Sequence, residues 1–254
     1  MFHDALVPFA ERWIIKMKLI CYLSNGYPTI ESSIKMAQIY SEAGCDVIEI
    51  DFPSEDPYLE SELISGRMAK ALENCSDFQK YMDGMVKAKK NNPNTSFILL
   101  SYENTIKKMG YEVFEKFCLE HEFKDLILVG LEDETIKNKL IEAGIRVSCY
   151  VQYYLDETEV ESAIRSNGFV YLQAKPTTGY VNPDYPELKD CIQYLRSRGI
   201  TRPIYCGVGI YQPEDVSMAK EAGADGVFVG STVLKLHDDI PALRSKIKEL
   251  KDEC

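Results

Sequence analysis

Long hydrophobic runs are absent from this sequence of 254 residues. No segment approaches the roughly 18 to 20 consecutive apolar residues that a helix needs to cross a bilayer, so we expect no membrane-spanning segment. The N-terminus also lacks a charged stretch followed by an apolar stretch and a small-residue cleavage site. That absence predicts that the chain is not exported.

Positive charge is also in short supply. Lysine and arginine together number 29 against 40 aspartates and glutamates, which gives a formal net charge of -11. Nucleic acids and anionic membranes are themselves negatively charged, so this balance argues against either as the general partner. It remains compatible with one local pocket for a phosphate group.

Patterns typical of metal sites and disulfide frameworks are missing as well. The eight cysteines form no CxxC pair and no cluster with a histidine, and several lie in apolar segments, where a reduced thiol acts as a small hydrophobe. This usage predicts a cytoplasmic, reducing compartment and no metal site. His3, His121 and His237 lie far apart and outside the predicted strand ends, so we expect them at the surface.

What the sequence does contain is a regular alternation of strand-like and helical segments. The apolar strand segments are residues 18–24, 46–53, 96–102, 125–130, 146–150, 169–174, 203–207 and 226–229. The helical patterns are residues 30–43, 62–72, 78–90, 110–121, 135–143, 157–166, 186–198, 213–222 and the segments from 231 onward.

Eight strands that alternate with helices require parallel pairing with helices on the outside, which is what a closed (β/α)8 barrel provides. We therefore predict an α/β fold with a single TIM-barrel domain over residues 1–254, capped by an N-terminal helix over residues 1–16. An open doubly wound sheet is the alternative. It is disfavoured because the first turn between strand and helix has no GxGxxG fingerprint.

The second strand carries two acids at its C-terminal end. Strand alternation places Val47, Glu49 and Asp51 on one face, so Glu49 points into the core if Val47 does. A carboxyl group there would lose hydration and have its pKa raised, more so beside a second acid, which prepares a general acid or base for neutral pH. The alternative is an ordinary strand end whose acids reach solvent.

Glycine-bearing turns follow the last three strands. They are Thr177-Thr178-Gly179, Gly207-Val208-Gly209-Ile210 and Gly230-Ser231-Thr232. In a barrel these turns share one face, and glycine lets backbone amides approach phosphate oxygens without a side chain in between. The three turns together predict a phosphate site that needs no basic side chain.

Several short motifs, spread over nearly the whole chain, match one known family. They are Gly26 and Pro28, Glu49 with Pro53 and Asp56-Pro57, Tyr102 with Asn104, residues 168–172 leading to Thr178-Gly179, residues 207–210, and residues 224–231. In these motifs the sequence resembles the tryptophan synthase alpha subunit family. The resemblance implies a lyase that cleaves indole-3-glycerol phosphate to indole and glyceraldehyde 3-phosphate by retro-aldol acid/base chemistry.

The resemblance also assigns roles to individual residues. It implies that Glu49 and Glu60 are the catalytic acids, with Tyr171 in support. The residues implied to bind substrate are Tyr22, Tyr102 and Thr178, and those implied to bind phosphate are Gly179, Gly207, Gly209, Gly230 and Ser231. The implied partner is a tryptophan synthase beta subunit, which would hold the pyridoxal phosphate, so this chain is expected to need no cofactor.

The sequence departs from the family pattern at a few of these positions. Glu60 is one methylene longer than the family's aspartate, Asp51 stands at a family glycine, Tyr22 at a phenylalanine, and Gly130 at a position that is usually aspartate. Two other hypotheses therefore stand beside the lyase: a phosphate-binding regulatory subunit with little catalysis, and a related lyase for another phosphorylated substrate. If the lyase hypothesis holds, Glu60→Asp is expected to preserve or raise indole formation.

Overall fold

The structure, a computed structural model, describes residues 16–58, 60–177 and 180–254. The predicted N-terminal helix therefore lies outside the described residues, and the single domain over residues 1–254 stays a prediction. The described strands are β1 Lys18–Leu23, β2 Val47–Asp51, β3 Ser96–Tyr102, β4 Asp125–Val129, β5 Arg146–Val147, β6 Cys149–Val151, β7 Val170–Gln173, β8 Ile204–Gly207 and β9 Gly226–Val229.

The described helices follow the strands along the chain. They are α1 Ile30–Glu42, α2 Glu62–Asn74, α3 Phe78–Asn91, α4 Glu103–Met109, α5 Tyr111–Glu120, α6 Thr135–Glu142, α7 Glu157–Arg165, α8 Leu188–Ser197, α9 Pro213–Ala222, α10 Ser231–Leu234 and α11 Ile240–Asp252. Within the described ranges, no helix has both the length and the apolar character needed to span a bilayer. Helix α4 is an addition to the predicted pattern, which had one helix between the third and fourth strands.

The strands form one parallel sheet that closes on itself. The strand order is β5-β4-β3-β2-β1-β9-β8-β7-β6, and β5 and β6 are two parts of the predicted fifth strand. At the break, the amide of Ser148 donates to the carbonyl of Leu126 at 2.9 Å, and the amide of Cys149 donates to the carbonyl of Phe169 at 3.2 Å. This segment therefore joins both edges of the sheet. The predicted barrel is confirmed, whereas the prediction of an unbroken fifth strand is wrong.

Alternation along the strands divides the apolar residues between two cores. One cluster fills the barrel interior and includes Ile20, Val47, Ile98 and Phe228. The larger cluster, with Ile48 and Ile50 of β2, lies between the strands and the helices. Successive strand residues point to opposite faces. Glu49 therefore shares the inner face with Val47, as the alternation predicted.

Candidate active site

A cavity of about 620 Å³ opens inside one end of the barrel, where the strands terminate. It is lined by side chains from the strand ends and by the turns that follow them. The lining includes many of the predicted site residues, namely Tyr22, Glu49, Glu60, Tyr171, Gly209, Gly230 and Ser231. The same lining carries apolar side chains such as Leu100, Ile127 and Phe228, which suit an aromatic group.

Glu49 lies on β2 directly across from Tyr22 of β1 and Ile98 of β3. Its side chain is 7% exposed, so the alternative of a solvated strand end is wrong. Burial raises the pKa of the Glu49 carboxyl well above its usual range, and the negative charges of Glu60 and Asp51 raise it further. Both causes favour the protonated form of Glu49 over the ionised one.

Asp51 lies two residues further along the same face and is fully buried. The hydroxyl of Tyr22 donates to its Oδ2 at 2.5 Å, and the backbone amide of Asn25 donates to its Oδ1 at 2.6 Å. Burial raises the pKa of Asp51 to about 7, although these two hydrogen bonds act in the opposite direction. Two departures from the family pattern, Tyr22 and Asp51, are thus partners in one hydrogen bond.

Glu60 reaches the cavity from the loop between β2 and α2. It directly precedes Ser61, whose hydroxyl caps α2 by accepting from the amide of Ile64. The hydroxyl of Tyr102, itself not part of the cavity lining, donates to Oε1 of Glu60 at 2.9 Å. Burial raises the pKa of Glu60, and the hydrogen bond from Tyr102 opposes that shift.

Two further hydrogen bonds fix the same loop to the beginning of α4. The side-chain amide of Asn104 donates to the carbonyl of Asp56 at 3.1 Å, and the hydroxyl of Ser54 donates to Oδ1 of Asn104 at 3.1 Å. Both contacts join the loop to residues that follow β3. The end of β3 and the start of α4 thus hold in place the loop that contains Glu60.

Tyr171 on β7 forms one wall of the cavity. Its ring stacks on Phe228 at a centroid distance of 4.4 Å and meets the Tyr150 ring edge-on at 5.6 Å. Burial raises the pKa of Tyr171 well above its usual range, and the charge of nearby Glu49 is the next largest cause. The Tyr171 hydroxyl therefore keeps its proton and stays neutral near Glu49.

Gly207 is absent from the cavity lining, unlike the other described glycines of the predicted phosphate site. A Cβ atom on Gly207 would lie 2.3 Å from the ring and hydroxyl of Tyr171. The observed role of this glycine is to leave room for that ring. A phosphate contact at Gly207 stays a prediction.

The turns after β8 and β9 enter the cavity with little side-chain cover. Gly209 has a φ of +110°, which disfavours other residues, and it packs against the aliphatic stem of Lys175. Gly230 has open space around its Cα, with the nearest atom to an added Cβ at 3.8 Å, and Ser231 begins α10. Thr178 and Gly179 lie outside the described residues.

The expectation of a surface position for His237 is wrong. Its Nδ1 accepts from Nη1 of Arg67 at 2.8 Å, so the proton of a neutral ring must lie on Nε2, which is 2.6 Å from the hydroxyl of Tyr40. That hydroxyl donates to the carbonyl of Tyr22 at 3.1 Å, and Nη2 of Arg67 donates to the carbonyl of Leu234 at 2.7 Å. Tyr40 and Arg67 of this polar network are buried and His237 is half-buried. The network links α1, α2, α10 and β1 behind the cavity.

A closed parallel barrel whose cavity holds one buried acid, one half-buried acid and two glycine turns is typical of an acid/base enzyme of the TIM-barrel class. The model of the family described as tryptophan synthase alpha chain matches residues 11–254. The chain belongs to this family, which confirms the resemblance seen in the motifs. It is accordingly a lyase of the alpha type, which cleaves indole-3-glycerol phosphate.

Individual relatives agree with this assignment over most of their length. The tryptophan synthase alpha chain of Neisseria meningitidis is 28% identical over 92% of this chain and 93% of that protein. The one from Staphylococcus carnosus is 26% identical over 86% and 89%. A solved structure from Aquifex aeolicus is 25% identical, with a TM-score of 0.82 over 94% of this chain and 93% of that one.

Proposed function

We propose that Glu49 and Glu60 divide the acid/base work of indole-3-glycerol phosphate cleavage between them. Glu49, protonated at neutral pH, donates its proton to C3 of the indole ring. Glu60 stabilises the positive charge that then develops at the ring nitrogen. The observation that carries this assignment is the buried Glu49 carboxyl, whose raised pKa suits it to hold and donate a proton.

The same carboxyl completes the reaction. After donating its proton, Glu49 is a carboxylate and accepts the proton of the hydroxyl on the glycerol carbon attached to C3. The bond between C3 and that carbon breaks, its electron pair returns to the ring, and the carbon becomes the aldehyde of glyceraldehyde 3-phosphate. Glu49 regains its proton, so the cycle balances with no external acid or base.

The phosphate group belongs, in this proposal, at the turns that hold Gly209, Gly230 and Ser231. These residues line the same cavity as the two acids, and the described part of the lining contains no lysine or arginine. Backbone amides and the Ser231 hydroxyl would therefore supply the donors. Gly179 completes the predicted phosphate-binding residues, and Thr178 is a predicted substrate-binding residue. Tyr22 would contact the substrate directly, whereas Tyr102 would act on the substrate through its hydrogen bond to Glu60.

Family membership implies a beta subunit as partner. We propose that this chain docks a tryptophan synthase beta subunit, that pyridoxal phosphate belongs to that partner, and that this chain works without a cofactor or metal of its own. A cytoplasmic location is part of the proposal, supported by eight cysteines that are all free thiols.

A colourimetric indole assay on the purified chain, with and without a beta subunit, tests the proposal. Indole release from indole-3-glycerol phosphate that Glu49→Gln abolishes is the expected result. Stoichiometric binding of the beta subunit without any turnover would instead support a regulatory subunit. Turnover of other phosphorylated compounds, but not of this one, would support the altered-substrate hypothesis.

A further inference from the structure

Asp51 has no part in the reaction as proposed, yet it is the most deeply buried of the three acids at the site. We propose that Asp51 and Tyr22 form a positioning pair for Glu49, in which the buried carboxyl fixes the Tyr22 ring as the cavity wall and places a third acidic group beside Glu49. The inference rests on the proposed function of Glu49 and names two residues that act through it.

The geometry of the pair supports a positioning role. Tyr22 lies directly across from Glu49 in the register of β1 and β2, and its ring lines the cavity. Its hydroxyl is directed away from substrate, because it donates to Oδ2 of Asp51 at 2.5 Å. The amide of Asn25 holds the other oxygen at 2.6 Å, so the carboxyl group of Asp51 has little freedom to turn.

The charge of Asp51 is not neutralised locally. The titratable groups that face it are Tyr22 from β1, Glu49 from β2, Glu60 from the loop after β2, Tyr102 from β3 and Tyr81 from α3. All of them are neutral or acidic. The described residues also contain no group of three histidine, cysteine or acidic side chains arranged to hold a metal ion.

An uncompensated acid beside Glu49 makes it harder for Glu49 to lose its proton. Burial raises the pKa of Asp51 to about 7, so its charge changes within the range in which the enzyme would work. The charge of Asp51 is one of the causes that raise the pKa of Glu49, so the state of Asp51 helps to set how firmly Glu49 holds its proton. Tyr22 contributes because its hydrogen bond favours the ionised form of Asp51.

The decisive experiment is a titration of the Glu49 carboxyl by 13C NMR, without substrate, in wild type, Asp51→Asn, Tyr22→Phe and the double variant. Glu49→Gln identifies the resonance. We expect Asp51→Asn to move the Glu49 titration to lower pH by about one unit, because a negative neighbour is removed. Tyr22→Phe should move it in the same direction by less, because Asp51 then holds its own proton more firmly.

Kinetics on the same proteins give the second readout. We expect kcat for indole formation to fall about tenfold in Asp51→Asn, its pH profile to move in parallel with the titration, and the double variant to resemble Asp51→Asn, because the two residues act as one unit. An unmoved Glu49 titration in Asp51→Asn would overturn the inference. If that variant does not fold, an unmoved titration in Tyr22→Phe overturns it equally. A shifted titration in a chain that forms no indole would support the pair and reject the proposed reaction.

Discussion

The two catalytic acids differ in how the chain holds them. Glu49 is carried by a barrel strand and is fixed by the register of β2 with its neighbours, whereas Glu60 depends on a loop and on one hydrogen bond from Tyr102. Strand residues are held more firmly than loop residues. The consequences of substitution should therefore differ between them.

Glu49→Gln should keep the fold and the binding of a phosphorylated ligand but lower kcat by about 10² to 10⁴, the usual contribution of a positioned acid or base. Glutamine matches glutamate in shape, so the change removes only the proton transfer. Steady-state kinetics with calorimetry of ligand binding provide the measurement. A variant that keeps most of its kcat would mean that another group transfers the proton.

Glu60→Asp is a case in which the structure changes the expectation. The sequence alone favoured unchanged or improved indole formation, but shortening the side chain withdraws the carboxyl group from Tyr102. We now expect kcat to fall by roughly 10- to 100-fold, since loss of one hydrogen bond to a charged group costs about 1.5 to 3 kcal/mol.

Tyr102→Phe is the matched control for Glu60, because it removes the same hydrogen bond and leaves Glu60 at full length. Comparable losses of kcat in Glu60→Asp and Tyr102→Phe would identify the hydrogen bond as the cause. If Glu60→Asp proves as active as wild type, the contact with Tyr102 has no part in catalysis. The rate of indole formation at saturating substrate gives kcat for wild type, Glu60→Asp and Tyr102→Phe.

At the level of elements, β8 and β7 depend on each other through Gly207 and Tyr171. An added Cβ at Gly207 would lie 2.3 Å from the Tyr171 ring, so Gly207→Ala must displace that ring from its stack on Phe228. We expect kcat to fall and the midpoint of thermal unfolding to drop, in line with the about 1 to 3 kcal/mol typical of overpacking.

Gly66→Ala serves as its matched control. Gly66 lies inside α2, is exposed, and has nothing within 4 Å of an added Cβ, so alanine there should stabilise the chain by about 0.5 to 1 kcal/mol through helix propensity. Thermal unfolding followed by circular dichroism gives the midpoint of each variant, and indole assays give its kcat. Unchanged activity in Gly207→Ala would show that Tyr171 tolerates displacement.

Patterns local to one segment predicted most of the elements. The alternation in β2 placed Glu49 on the inner face with Val47, and the alternation of strands and helices along the chain predicted the barrel. What escaped prediction depends on residues that are distant in sequence. The partnership of Tyr22 with Asp51 spans 29 positions, and that of His237 with Arg67 spans 170.

The hydrophobic periodicity of a segment does not reveal such long-range pairs, since each residue alone is compatible with an ordinary strand or helix position. The nearest signal was that Tyr22 and Asp51 both depart from the family pattern. A buried acid at a glycine position requires a donor, and a tyrosine at a phenylalanine position supplies one. Helix α4 escaped for another reason: it begins directly at the end of β3 with no side-chain cap to mark its start.

For the molecule as a whole, the buried acids and the His237 network impose opposite dependences of stability on pH. Asp51 has a pKa raised to about 7 in the folded state, against an ordinary value near 3.9. The folded chain therefore binds its proton more tightly, and the stability that this contributes is present at low pH and lost as pH rises through about 7. Asp51→Asn should consequently flatten the fall in stability between about pH 4 and pH 7.

His237 acts in the other direction. Burial and the charge of Arg67 lower its pKa to about 3, whereas an unfolded histidine titrates near 6.5. Between these values the unfolded chain binds the additional proton, so the stability that neutral His237 contributes is present above about pH 6.5 and lost as pH falls toward 3.

His237→Gln keeps an acceptor for Arg67 and a donor for Tyr40 but cannot take up a proton. Urea unfolding of both proteins from pH 4 to pH 8 at constant salt should show wild type ahead at pH 8 and a difference that shrinks steadily below pH 6.5. A difference that stays constant across that range would mean that His237 is protonated as readily in the folded chain as in the unfolded one, which its hydrogen bond from Arg67 forbids.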